Sequence, residues 1–468
     1  MKKIQLILTI AIISMLLFFS CKKESFITSP NARLSFSADS IKFDTVFTST
    51  GSITQSFKIF NDNNQKLLLS KIKLMGGTTS SFKININGVA ATEQDNIEVA
   101  ANDSIYVFVT VTVNPTVANL PFIISDSILV NYNGNDRFVQ LQAYGQNAHF
   151  LNNTVITSDT VWPNDLPYVI LGGIRVDAAA VLSIYPGCRI YLHANAPFIV
   201  DGTLLVNGTK GTEVQFTSDR LDDPYKDFPA GWPGIYFRSS SKNNIITYAV
   251  IKNAYQAVVA EDPASNTNPK LIMHQCVIDN AYDAGLLSIN SSVQADNTLI
   301  SNCGKNINIM LGGDYTFTNC TIASFSNSYL LHKAPVLIAT NFADQNGTTI
   351  TANMNALFRN CIFWGDDGAI EDELLISKQG NNTFNVIVDH CLYRAVNDPS
   401  NTTLTASIKN IEPAFDSIDV THKYYDFRIS LNGFAPGIDQ GAATGFLKDL
   451  DNNNRSVGLP DMGCYEKQ

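Results

Sequence analysis

Charge, histidine and paired metal ligands are scarce in this 468-residue sequence, and each shortage closes off a class of function. Charged residues make up 16% of the chain, with 32 Lys and Arg against 42 Asp and Glu. A formal net charge of −10 argues against nucleic acid as a partner, since phosphate binding needs a basic face. The six histidines (His149, His193, His274, His332, His390 and His422) stand singly. With no His-x-His, His-Glu-x-x-His or Cys-x-x-Cys, a zinc ligand set is missing. Neither a Gly-rich phosphate loop nor Gly-x-Ser-x-Gly occurs, so nucleotide binding and serine-hydrolase chemistry are not expected. Beyond Phe19 no apolar run reaches the length of a membrane span.

What the chain has is repetition. A nine-residue phrase recurs six times: ITYAVIKNA from Ile246, MHQCVIDNA from Met273, ADNTLISNC from Ala295, FTNCTIASF from Phe317, FRNCIFWGD from Phe358 and VDHCLYRAV from Val388. Its fourth position is small (Ala249, Cys276, Thr298, Cys320, Cys361, Cys391), and its sixth is large and apolar (Ile251, Ile278, Ile300, Ile322, Phe363, Tyr393). Apolar positions two apart mark a strand with one buried face. Intervals of 27, 22, 22, 41 and 30 residues separate the fourth positions, and units of this length bury their faces only by stacking. Each phrase therefore reads as one rung of a parallel β-solenoid. The polar third position (Gln275, Asn297, Asn319, Asn360) suits a corner where amides hydrogen-bond along the stack. The longest interval hides a degenerate rung around Tyr329–Ile338 or a loop of similar length, and polar Thr340–Met354 reads as a loop.

From about residue 150 to 466 the chain resembles the right-handed parallel β-helix superfamily. Beside the repeats, VLSIYPGCRIYL from Val181, FIVDGTLLVNG from Phe198, GWPGIYF from Gly231 and the closing DLDNNNRSVGLPDMGCYE from Asp449 carry the likeness. The superfamily holds pectin-degrading enzymes, adhesins and proteins of unknown role, so the resemblance implies a fold and leaves activity open.

The first 21 residues read as a targeting segment: Lys2 and Lys3, then apolar Ile4–Phe19, then Ser20-Cys21. This resembles a bacterial lipoprotein signal, and it implies lipid attachment at Cys21 and an outer-membrane, surface-exposed location. The Lys22-Lys23-Glu24 start is similar to lipoproteins of the Bacteroides–Flavobacterium group. Residues 22–31 then read as a tether. Residues 32–147 show seven alternating runs separated by turn signals such as Asn61-Asp62-Asn63-Asn64, and predict an antiparallel sandwich resembling immunoglobulin-like modules. Residues 148–468 form the β-helix with its closing segment, and Trp162-Pro163 reads as a packing anchor at the open end. The fold class is thus all-β, a sandwich followed by a solenoid.

Three places invite chemistry. The excursion DRLDDPYKDFPAGWP from Asp219 carries Tyr225, Phe228 and Trp232, either a sugar-stacking platform or, for Trp232, the start of the next strand as the family's W-x-G-I pattern implies. In WGDDGAIEDE, Asp366 and Asp367 are candidate catalytic carboxylates, a calcium site or ordinary turn residues. The family's pectin hydrolases add Gly-His-Gly and Arg-x-Lys motifs, which this chain lacks. Asp449, Asp451 and Asn453, with Asp461, alternate oxygens as a calcium loop does, against a reading as the segment that closes the solenoid. Calcium is the one cofactor these residues suggest.

Seven cysteines follow Cys21, four at the inward fourth position, where stacked parallel Cβ vectors fit a disulfide poorly. They are expected as free, buried thiols. The fifth position (Val250, Val277, Leu299, Thr321, Ile362, Leu392) makes an outward apolar ladder, expected to be covered by a loop, the N-terminal module or a partner. The functional expectation is a lipid-anchored envelope protein that binds extracellular polysaccharide. A polysaccharide lyase or hydrolase and a structural spacer or protein adhesin are the rival readings.

Overall fold

The computed structural model describes residues 25–47, 51–113, 122–366, 370–430, 435–455 and 458–467. Cys21, its leader, the first residues of the tether and Asp367 lie outside them. The chain divides into two compact units, Met1–Asn147 and Ala148–Gln468. Among the described residues no helix is long and apolar enough to cross a membrane.

In the first unit two five-stranded sheets enclose one core. Ser104–Val111 shows why: Ile105, Val107, Val109 and Val111 point inward, while Tyr106 and Phe108 stack outside at 5.6 Å. Phe43 of one sheet meets Phe82 of the other at 6.1 Å. The first run splits in two, Leu34–Phe36 joining one sheet and Ser40–Phe47 the other. Ser40–Phe47 pairs in parallel with Asn135–Gln146, whereas the other described strand pairs of this unit are antiparallel. Polar Glu93–Val99 is a strand that alternation does not reveal, because it lies at a sheet edge and buries only Ile97 and Val99.

The second unit is a parallel β-helix, a continuous 26-stranded sheet wound into coils of three strands. The first face contains Ala249–Lys252, Val277–Asp279, Leu299–Ser301, Thr321–Ser324, Ile362–Gly365 and Leu392–Tyr393. Gln256–Glu261, Leu337–Thr340 and Leu374–Ser377 belong to the second, and Leu271–His274, Met354–Arg359 and Phe384–Asp389 to the third. Ala284–Asp296 and Ile307–Thr318 run through the corner from the second face to the third.

The nine-residue phrase is therefore a corner and not one rung. Its first two residues end a third-face strand, and the first-face strand begins at its fourth residue in the first copy and at its fifth in the other five. The third residue turns the chain with positive φ in all six copies: 46° at Tyr248, 53° at Gln275, 49° at Asn297, 53° at Asn319, 55° at Asn360 and 51° at His390. The break in alternation lets positions one, four and six all face inward. Asparagine suits the corner because it tolerates this conformation and its amide bonds to the neighbouring coil, as Asn360 Nδ2 does to Asn319 Oδ1 at 2.9 Å. A second asparagine corner ends the first face at Asn253, Asn280 and Asn302, with φ of 62°, 58° and 50°. Inside, Ile251, Ile278, Ile300, Ile322, Phe363 and Tyr393 stack in register, each buried aliphatic worth about 1.5–3 kcal/mol.

The cysteines from Cys188 to Cys464 are buried and unbonded. Cys320, Cys361 and Cys391 occupy successive coils, where burial holds the Cys320 and Cys361 thiols well above their usual range. Trp162 anchors the first coil, stacked on Tyr168 at 4.3 Å. In the long interval, Leu337–Thr340 is the degenerate rung, and the stretch expected as a loop forms the hairpin Phe342–Gln345 with Thr348–Thr351. The apolar ladder is covered by the chain's own C-terminal segment. Phe427, Leu450, Cys464 and Phe415 pack with Leu299 and Val277, while Met462 packs with Ile362 and Leu392. Thr321, the polar member, accepts a hydrogen bond from Cys464 N at 3.0 Å.

Candidate functional site: a groove over the third face

Alternation on the third face sends Val293, Tyr315, Ala356 and Val386 into the core and their neighbours outward. Parallel register then gathers residues that are far apart in sequence. Ser292, Asp314, Asn355 and Asn385 form one outward column over four successive coils, and Gln294, Thr316, Leu357 and Ile387 form the next. These columns floor an open groove of about 930 Å³. Corner residues Asn290, Gly313, Asn353 and Asn382 also line it, as does the loop 263–269 from the preceding coil.

Hydrogen bonds fix this lining. The side chains of Asn266 and Asn268 donate to Asn243 Oδ1 at 2.9 and 3.0 Å, and Asn353 Oδ1 accepts from Thr383 N at 3.0 Å. Beneath the floor, Tyr315 Oη donates to Gly312 O at 2.9 Å and lies 3.0 Å from Ser288 Oγ. Asn355 Nδ2 donates to Asp314 Oδ1 at 2.9 Å, which leaves the second carboxylate oxygen for a ligand. Among the described lining residues Asp314 is the sole charged group. The groove is thus a surface of amides and hydroxyls with an apolar strip at Leu357 and Ile387.

The residues singled out from sequence fall elsewhere. Trp232 is buried in the solenoid core, and its Nε1 donates to Lys252 O at 2.8 Å; this removes it from any binding platform. Tyr225 is exposed, but the Arg220 guanidinium lies 4.0 Å from its ring centre, and Phe228 packs edge-on against Tyr225 at 5.1 Å and Tyr329 at 4.7 Å. These rings hold the excursion together. Beside them a cleft of about 180 Å³ contains the ion pairs Lys252–Asp279 and Lys423–Asp227, at 3.4 and 3.5 Å.

The described members of the acidic cluster do not converge. Asp366 Oδ2 accepts from Ser326 N at 2.8 Å, and Asp372 Oδ1 accepts from Val396 N and Asn397 N at 2.7 and 2.9 Å. Glu373 is buried against His332 at 2.9 Å. Arg359 pairs with Asp389 at 2.7 Å, while Arg394 donates to the carbonyls of Gly365 and Asp366. Asp366 and Asp372 steady turns, and the Arg359–Asp389 pair bridges adjacent third-face strands.

The calcium reading is corrected in the same way. Asp449 accepts from Asn453 N and Glu466 N at 2.6 and 2.8 Å, and Asp461 accepts from Asp439 N and Lys467 N at 2.8 and 2.7 Å. Asp451 takes Lys210 and Arg428 at 2.7 and 2.6 Å. Backbone N–H groups and cations use the oxygens that a metal would need, and the described residues include no metal-sized cluster of acidic, His and Cys side chains.

This segment is a buried clasp. Arg455 donates to Asn297 Oδ1 at 2.8 Å, Gly463 O at 2.9 Å, Asp461 O at 3.4 Å and Glu466 Oε2 at 3.1 Å. Burial pushes the Glu466 carboxyl up to about 7, with Asp461 and Asp449 adding to the rise and Arg455 opposing it.

No family model matches this chain, and no curated protein matches it. Solved structures give distant likenesses. A family 123 glycoside hydrolase from Clostridium perfringens is 9% identical over 27% of this chain, with a TM-score of 0.19; this chain spans 31% of its length. A protein of unknown function from Porphyromonas gingivalis W83 is 8% identical over 26% of this chain and 59% of its own, at 0.19. The catalytic unit of a thermostable GH87 alpha-1,3-glucanase from Streptomyces thermodiastaticus strain HF3-3 is 10% identical, over 79% of this chain and 91% of its own, again at 0.19. At these scores none of the three bears on what this chain does.

Proposed function

We propose that this chain binds an extracellular polysaccharide in the third-face groove and does not cleave it. In the same reading, Cys21 carries lipid and holds the chain at a bacterial outer membrane. The groove's lining supports the binding role: repeated amides and hydroxyls offer donors and acceptors to sugar hydroxyls, and Leu357 and Ile387 offer an apolar strip to a sugar face. Its single carboxylate speaks against cleavage. Glycoside hydrolysis in its common form needs two carboxyl groups flanking the bond, one as acid and one as base or nucleophile. Asp314 has no carboxylate partner among the described lining residues.

Electrophoresis of the full chain through gels containing dissolved polysaccharides, with assay of reducing ends and unsaturated products, tests this. Retardation without product, relieved by Asn355→Ala, is the expected result. Product lost in Asp314→Ala would replace binding with catalysis. Neither retardation nor product would leave the spacer or adhesin role.

A further inference from the structure

Building on that reading, we infer that the groove selects a linear uncharged glycan and rejects polyuronates, with one sugar over each of four coils. No Lys, Arg or His is found among its described lining residues. A uronate carboxylate entering it would lose water and gain no cation, and it would meet Asp314 in the floor. The formal charge of −10 on the whole chain adds repulsion at long range.

The one lysine in register with the floor is withdrawn from it. Lys270 sits one coil before Ser292 in the same column, since Leu271 pairs with Val293. Its Nζ is buried and donates to Arg238 O and Ser239 O at 2.8 and 3.0 Å, which keeps its charge out of the groove's described lining.

Neutral sugars suit what remains. Ser292, Asp314, Asn355 and Asn385 present a hydrogen-bonding side chain at every coil, repeating at the strand spacing of about 4.8 Å. An extended sugar chain repeats its hydroxyls on that scale, so each added unit meets one more coil until four are covered. The second column passes from Gln294 and Thr316 to Leu357 and Ile387. One end of the ligand therefore lies on polar groups and the other on an apolar strip.

Calorimetric titration of the full chain with neutral glucose, mannose and xylose oligomers of two to six units, beside oligogalacturonates of the same lengths, decides the matter. A neutral series should tighten up to four units and then level off. Uronates should bind at least about tenfold more weakly at low salt, where repulsion is least screened. Asn355→Ala should weaken the neutral series about tenfold, and Asp314→Lys should raise uronate affinity by a similar factor. Uronates binding more tightly than neutral oligomers, with Asn355→Ala weakening them, would overturn the selectivity and leave groove binding intact. Affinity that stops growing at two units would overturn the four-coil register. Failure of every glycan to bind would remove the binding role itself.

Discussion

Replacing Arg455 by Ala should open the C-terminal segment without unfolding the coils beneath it. Arg455 and Glu466 are buried together, and the guanidinium also ties Gly463 and Asp461 to the Asn297 corner. Removing one partner of a buried ion pair costs about 3–5 kcal/mol, because the other charge is stranded. If that loss falls on the closing segment alone, its open population rises about 150- to 4,000-fold. Cys464 reports the opening, since it lies in the segment, buried against the coils, and its thiol is pushed up to about 12. Alkylation of the native protein, read peptide by peptide by mass spectrometry, should show Cys464 labelling faster by that factor. Cys188 and Cys276, inside the coils, should label at the wild-type rate.

The pH dependence carries a sign. Burial raises the Glu466 carboxyl from an ordinary 4.5 to about 7, so the folded form holds a proton that the unfolded form has released. That contribution to stability is present below about pH 4.5 and is lost as pH rises to about 7. Glu466 is largely neutral at pH 6 and charged at pH 8, so the ratio of variant to wild-type labelling should be larger at pH 8. Equal Cys464 rates in the two proteins, or all seven thiols rising together, would refute the clasp as a separately opening unit.

Two further outcomes follow from packing. Asn360→Ala should cost about 3–5 kcal/mol in urea unfolding, from left-handed strain plus the bonds to Asn319 and Ala442, while Asn360→Gly should recover the strain and lose only the bonds; equal losses would refute the strain. Trp232→Ala should cost about 3–5 kcal/mol and Tyr225→Ala about 1 kcal/mol, with glycan affinity unchanged in both folded variants; a Tyr225→Ala variant that no longer binds glycan would move the site to the excursion.

The coils were legible because their buried columns must stack, so Cys320, Cys361 and Cys391 repeat with Ile322, Phe363 and Tyr393 two residues later. The corner inside the phrase was not, because positive φ leaves no mark beyond asparagine, and Tyr248, Gln275 and His390 adopt it too. Outward positions vary freely, and Ser292, Asp314, Asn355 and Asn385 are ordinary polar residues far apart in sequence. A signal was nonetheless present. Each stands three residues before the start of a phrase, at Ala295, Phe317, Phe358 and Val388, and the same alignment read upstream finds the column. The Asp449 segment resembled a calcium loop because a closing turn and a calcium site both aim carboxylate oxygens at concentrated positive charge. Spacing alone does not separate an N–H from an ion.

The C-terminal cover also has a consequence for synthesis. Each coil packs on its neighbour and needs only the chain already made, so the solenoid can grow from its N-terminal end. The apolar ladder cannot be shielded on that schedule, since Cys464 lies 143 residues beyond its partner Thr321. At about 5–20 residues per second, those 143 residues alone take roughly 7–30 s to make. Coils that form before the closing segment arrives keep the stripe uncovered, and that segment ends the exposure.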